Sequence, residues 1–110
     1  MRRWAPALAA FALAAPAALS DALFEEKALA AAPDLAYGEY LASECLTCHR
    51  TSGAGEGIPV ISGWPRDAFI HALATYRSGY RTHQVMEMVA RGMGPDEAAS
   101  IAAYFETLTQ

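Results

Sequence analysis

Residues 45–49 read Cys45-Leu46-Thr47-Cys48-His49, and they hold both cysteines of this 110-residue chain. Two cysteines this close can form a short disulfide ring of a redox-active kind in an oxidising compartment. The histidine that follows opens another reading, because Cys-x-x-Cys-His is the attachment pattern for haem c. Each thiol can add to one haem vinyl group, and two intervening residues span the two vinyls. The imidazole of His49 then reaches the iron from the same side of the ring. A four-ligand zinc site needs further Cys or His at set spacing, and no second cysteine pair exists. Three function classes follow: a one-electron carrier with a closed haem, an enzyme or sensor with an open haem, and a haem-free thiol or metal module. Visible absorption of the purified protein separates the third from the other two.

The start of the chain has the pattern of an export signal. Met1-Arg2-Arg3 is positive, residues 5–19 are apolar, and Ala18-Leu19-Ser20 is a small-x-small cleavage pattern. Pro6 and Pro16 break the apolar run, which is shorter than the roughly 20 residues of a spanning helix. Residues 1–20 are therefore expected to be a cleaved signal peptide, with the mature chain in the periplasm and no membrane span remaining. Of the eight Lys and Arg, Arg2 and Arg3 leave with the signal; six remain against twelve Asp and Glu, a net charge of −6 with His neutral. That balance argues against nucleic acid, whose phosphates need a basic surface, and against an anionic membrane surface. Lys27 is the only lysine, so docking cannot use a ring of lysines. A chain of this size buries only about two-thirds of its surface on folding, and its alanines fill little volume. A bound group is expected to supply bulk to the core.

No stretch alternates as a strand would, so the fold class is all-α. Residues 21–33 favour helix but run into Pro33; the expectation is a flexible leader, followed by one domain over 34–110. Asp34 can cap a helix running to about residue 45. Residues 50–63, with Gly53, Gly55, Gly57, Pro59 and Gly63, read as a loop. Pro65 and Asp67 open a second helix with Phe69, Ile70, Leu73 and Tyr76 on one face, and Ser78-Gly79 stops it. A third helix spans about 85–91 and ends at Gly92. Gly94-Pro95-Asp96-Glu97 places proline at the first helical position and acids in the first turn, opening a last helix with Ile101, Tyr104, Phe105 and Leu108.

With these elements in place the chain resembles the class I c-type cytochromes over nearly all of the mature chain. Gly38 stands seven residues before Cys45, where the family has a small residue for close helix contact, and Ala102-Ala103-Tyr104-Phe105 matches the aromatic stretch of the last helix. Within the family the resemblance is to the cytochrome c4 group and the cytochrome subunits of flavocytochrome c sulfide dehydrogenases. Gly38-Glu39-Tyr40-Leu41-Ala42, Gly55-Glu56-Gly57-Ile58-Pro59 and Tyr76-Arg77-Ser78-Gly79-Tyr80-Arg81 carry it. Gly94-Pro95 departs from the usual Ser-Asp but preserves a helix start.

The resemblance implies helices wrapped around one covalently bound haem c, attached through Cys45 and Cys48, with His49 and Met86 as iron ligands. Met86 is favoured because it follows a stretch like Arg81-Thr82-His83-Gln84-Val85 and precedes Met93 by seven residues; Met88 and His83 remain alternatives. Pro59, ten residues after His49, is implied as the carbonyl that orients the proximal imidazole. Arg77, Arg81, Tyr76 and Trp64 are candidate donors to the haem propionates, while His71 reads as a surface histidine. The function implied is electron transfer without catalysis by this chain alone. The implied partner is an FAD-bearing flavoprotein that oxidises sulfide, docking near residues 51–57 and 82–85. The alternative is a free soluble shuttle of the cytochrome c4 type that meets other redox proteins transiently.

Overall fold

A computed structural model of the chain describes residues 3–7, 17–51 and 57–109. Five α-helices follow in order: α1 (Ala17–Ala30), α2 (Leu35–Cys48), α3 (Arg66–Ser78), α4 (Gln84–Arg91) and α5 (Pro95–Thr107). The described residues contain no strand. The loop over 52–56 and the apolar run over 8–16 lie outside them.

The helix ends obey local chemistry. The Tyr37 backbone N–H donates to Asp34 Oδ1 at 3.0 Å, satisfying a free donor at the start of α2. Gly79 closes α3 with φ +78°, a left-handed conformation that suits glycine. Pro95 occupies the first turn of α5, and Glu97 accepts the Gly94 N–H at 3.3 Å. Helix α2 runs three residues past the expected end, through Cys48, because no breaker separates Cys45 from His49.

The core is built around α5. Ala98, Ala99, Ser100, Ile101, Ala102, Ala103 and Phe105 are all buried, as in a helix covered on most sides. It packs against α1, α2 and α3. Phe105 stacks on Phe69 of α3, with ring centroids 5.3 Å apart. Gly38 brings α2 so close to α5 that a Cβ there would overlap the Ser100 carbonyl and lie 3.2 Å from Tyr104 Cβ. The Asp34 N–H also donates to Ser100 Oγ at 3.0 Å, tying the two helices at the same level.

The leader expected over 21–33 needs correction. Most of it belongs to α1, which begins at Ala17 and packs against α3 and α5. Phe24, 3 % exposed, and Ala28, fully buried, join the core. Arg66 donates from Nη2 to the carbonyls of Ala28 and Ala31 at 3.2 and 2.7 Å, capping the C-terminal end of α1. His71 is exposed, as expected, and its Nδ1 pairs with Glu25 Oε1 at 2.8 Å. These contacts fix the segment as a docked helix.

Candidate haem site

Cys45, Cys48 and His49 form the C-terminal end of α2, His49 being the residue that closes it. The last helical turn and the residue that closes it therefore carry both thiols and the imidazole. The thiols are not joined to each other. Burial pushes the Cys45 thiol above its usual range, the Glu44 charge adds to the rise, and a backbone hydrogen bond opposes it. A redox-active Cys-x-x-Cys needs the opposite: a thiolate favoured by a helix N-terminus or a nearby cation. At a helix C-terminus the macrodipole disfavours negative charge. The motif is thus poorly placed for thiol–disulfide chemistry, and no group of three or more His, Cys, Asp or Glu among the described residues could hold a metal ion.

His49 Nδ1 lies 2.8 Å from the Pro59 carbonyl oxygen. With Nδ1–H donating to that carbonyl, the lone pair is on Nε2, the tautomer and orientation a metal requires. Glycine-rich loop residues separate the two positions in sequence, and the fold brings them together at the distance of a strong hydrogen bond.

Met86 lies in α4, half-buried and packed against the core. Met88 is 69 % exposed, and Met93 is half-buried in the turn into α5. Helix α4 packs against α3, α2 packs against α5, and α2 and α4 do not touch each other. The cysteine-bearing and methionine-bearing helices are therefore held on separate supports. Ile58, next to Pro59, and Val85 and Val89 of α4 are exposed, and Cys45 and Leu46 are only partly covered. Two unpaired thiols, an imidazole oriented through Nδ1 and a thioether amid partly covered apolar side chains fit haem c.

The other candidates separate clearly. His83 caps α4, its Nδ1 accepting the Met86 N–H at 3.3 Å, so its ring already has a structural task. Arg81 is exposed, and its backbone N–H donates to the Thr75 carbonyl at 3.1 Å. Tyr76 and Trp64 are half-buried against the core. Arg77, a candidate propionate donor by sequence, is engaged with protein carbonyls instead: Nη1 donates to Ala90 and Met93 at 2.8 and 3.0 Å. Sequence patterns carry no signal for the role of Arg77, because it depends on where a neighbouring helix ends; the His83 cap is local, but histidine is not among the side chains that usually mark a helix start.

An all-helical fold with Cys-x-x-Cys-His at the end of one helix, crossed at a glycine by the last helix, defines a cytochrome of the c type. No family model matches the sequence. The chain is 36 % identical over 74 residues to the cytochrome subunit of sulfide dehydrogenase from Chlorobaculum tepidum, covering 66 % of this chain and 67 % of that protein. The chain belongs to the c-type cytochromes of the sulfide dehydrogenase cytochrome-subunit group, with the class I fold. No helix among the described residues is long and apolar enough to cross a membrane.

Proposed function

We propose that this chain is a periplasmic mono-haem cytochrome that carries single electrons as the haem subunit of a flavocytochrome c sulfide dehydrogenase. The observation that carries the reading is the likeness to a cytochrome subunit of sulfide dehydrogenase across two-thirds of both chains. The site supports it. Cys45 and Cys48 would hold the haem covalently, and His49, oriented by the Pro59 carbonyl, would bind the iron through Nε2. Met86 would supply the other protein ligand to the iron, leaving no open position for a substrate. When bound, the haem iron supplies the Fe(II)/Fe(III) couple; the chain's own residues would attach it and orient its ligand. Arg81, exposed at the end of the turn after α3, would be a donor to the haem propionates.

The partner in this reading is an FAD-bearing protein that takes two electrons from sulfide and passes them on singly. Its contact would be apolar at the centre with a polar rim, since the lone lysine offers no basic ring for steering. Gel filtration of a native extract tests the reading. Haem and flavin should co-migrate well above the mass of one chain, and sulfide should reduce the haem in that fraction. Elution of the haem protein alone, with the haem left oxidised by sulfide and the flavoprotein together, would replace the subunit by a free shuttle.

A further inference from the structure

We propose that Arg77, clamped by Asp21 and Phe24 of the N-terminal helix, is a positioning residue for the Met86 thioether. The proposal rests on the reading of Met86 as an iron ligand. Helix α4 has only eight residues, too short to be stable alone, and among the described residues α3 is the only helix it packs against. Its placement therefore depends on what holds its ends. At the N-terminal end the His83 ring accepts the Met86 N–H, and Glu87 Oε2 accepts the His83 N–H at 3.2 Å.

At the C-terminal end the anchor is Arg77. Its Nη1 donates to the carbonyls of Ala90 at 2.8 Å and Met93 at 3.0 Å, and lies 3.4 Å from that of Arg91. Ala90 follows Met86 by one turn, so the two side chains share a face of α4, and Ala90 is fully buried. Fixing the Ala90 carbonyl therefore fixes the turn that carries the thioether.

The other side of the guanidinium belongs to α1. Its central carbon sits 4.2 Å from the centroid of the buried Phe24 ring, and Nε is 3.7 Å from Asp21 Oδ1. That last distance is an ion pair beyond hydrogen-bond reach, and Nε has no hydrogen-bond partner among the described residues. Arg77 is thus gripped from α1 while it grips α4. A helix remote in sequence from the iron ligands sets how firmly one of them is held.

A neutral thioether is a weak donor to Fe(III), so looser positioning lets an added ligand displace it more readily. Spectral titration of the oxidised holoprotein with imidazole measures this displacement. Arg77→Gln should bind imidazole about tenfold tighter, the effect of losing a charge-assisted hydrogen bond from the closed state. Phe24→Leu keeps an apolar side chain but removes the ring face, and should bind about threefold tighter. His71→Ala cuts a contact between α1 and α3 without touching Arg77 and should bind as the unsubstituted protein does. If Arg77→Gln yields no holoprotein, Phe24→Leu decides. Unchanged affinity in Phe24→Leu, or an equal change in His71→Ala, overturns the positioning role. Failure of the ligand reading looks different: the near-infrared sulfur-to-iron band would be absent before any substitution, or would survive Met86→Ala.

Discussion

Replacing Gly38 by alanine should destabilise the fold, although the same change in an ordinary helix would stabilise it. A Cβ at Gly38 would lie 2.6 Å from the Ser100 carbonyl carbon and 3.2 Å from Tyr104 Cβ, and would overlap the Ser100 oxygen. Carbon atoms in good contact stand about 3.5–4.0 Å apart, so α2 and α5 must separate by about 1 Å at their crossing. The obstacle is backbone inside a buried helix and has no alternative rotamer. Overpacking costs about 1–3 kcal/mol, and a backbone obstacle places this case near the top of that range. Removing a glycine from a helix interior returns about 1 kcal/mol.

The net loss is therefore about 2 kcal/mol, or about 8 to 16 °C in melting temperature for a domain of this size. The Asp34 N–H to Ser100 Oγ bond, at 3.0 Å, is strained by the same separation. Far-UV circular dichroism of the oxidised holoprotein during heating reads the change. Gly92→Ala is the matched control: its Cβ would meet the Met88 and Val89 carbonyls at 3.5 and 3.7 Å, with φ −81° already suited to alanine. It should melt at or slightly above the unsubstituted protein. A Gly38→Ala protein that melts as high as the control would refute the close-approach argument.

Met86→Ala should abolish the near-infrared sulfur-to-iron band of the oxidised protein while the haem stays covalently attached. Met88→Ala, at a position 69 % exposed, should leave the band in place. Haem-free chain made in a reducing cytosol without attachment machinery should show little stable helix by circular dichroism, because binding free energy of this kind is also folding free energy. A cooperative thermal transition in that material would remove haem as the organising element.

The parts of this fold that local chemistry dictates are legible in the sequence. Asp34, Pro65, Gly79 and Gly94-Pro95 mark helix ends through caps and backbone preferences, and all act within a few residues of themselves. The Cys-x-x-Cys-His motif stands out in the sequence because its residues lie within five positions of each other, and the fold adds the Pro59 carbonyl beside His49. Gly38 is readable as a close contact only through family resemblance. Its partner proves to be the Ser100 backbone, together with the aromatic residue Tyr104 of the matching stretch. The register of two helices sixty residues apart has no local signature.

Helix α1 shows what sequence patterning leaves out. Its apolar residues form no continuous stripe: Phe24 and Ala28 are buried, while Leu23 and Leu29 are exposed. The docked state is specified from α3 instead. Arg66 caps the Ala28 and Ala31 carbonyls, Arg77 covers Phe24, and His71 meets Glu25. Each contact joins residues far apart in sequence through a long side chain, and such contacts leave no periodic trace in either partner. From sequence Arg77 reads as a donor to the haem propionates, and nothing in the pattern of α3 marks Arg66 as a cap for another helix. Arg66 and Arg77 are instead two of the few cations in a chain rich in acids, and both are spent on backbone carbonyls at helix ends. A cation at a helix C-terminus satisfies unpaired carbonyls and complements the macrodipole together. In a core made largely of alanine, where apolar volume cannot fix how short helices meet, that chemistry supplies the missing specification.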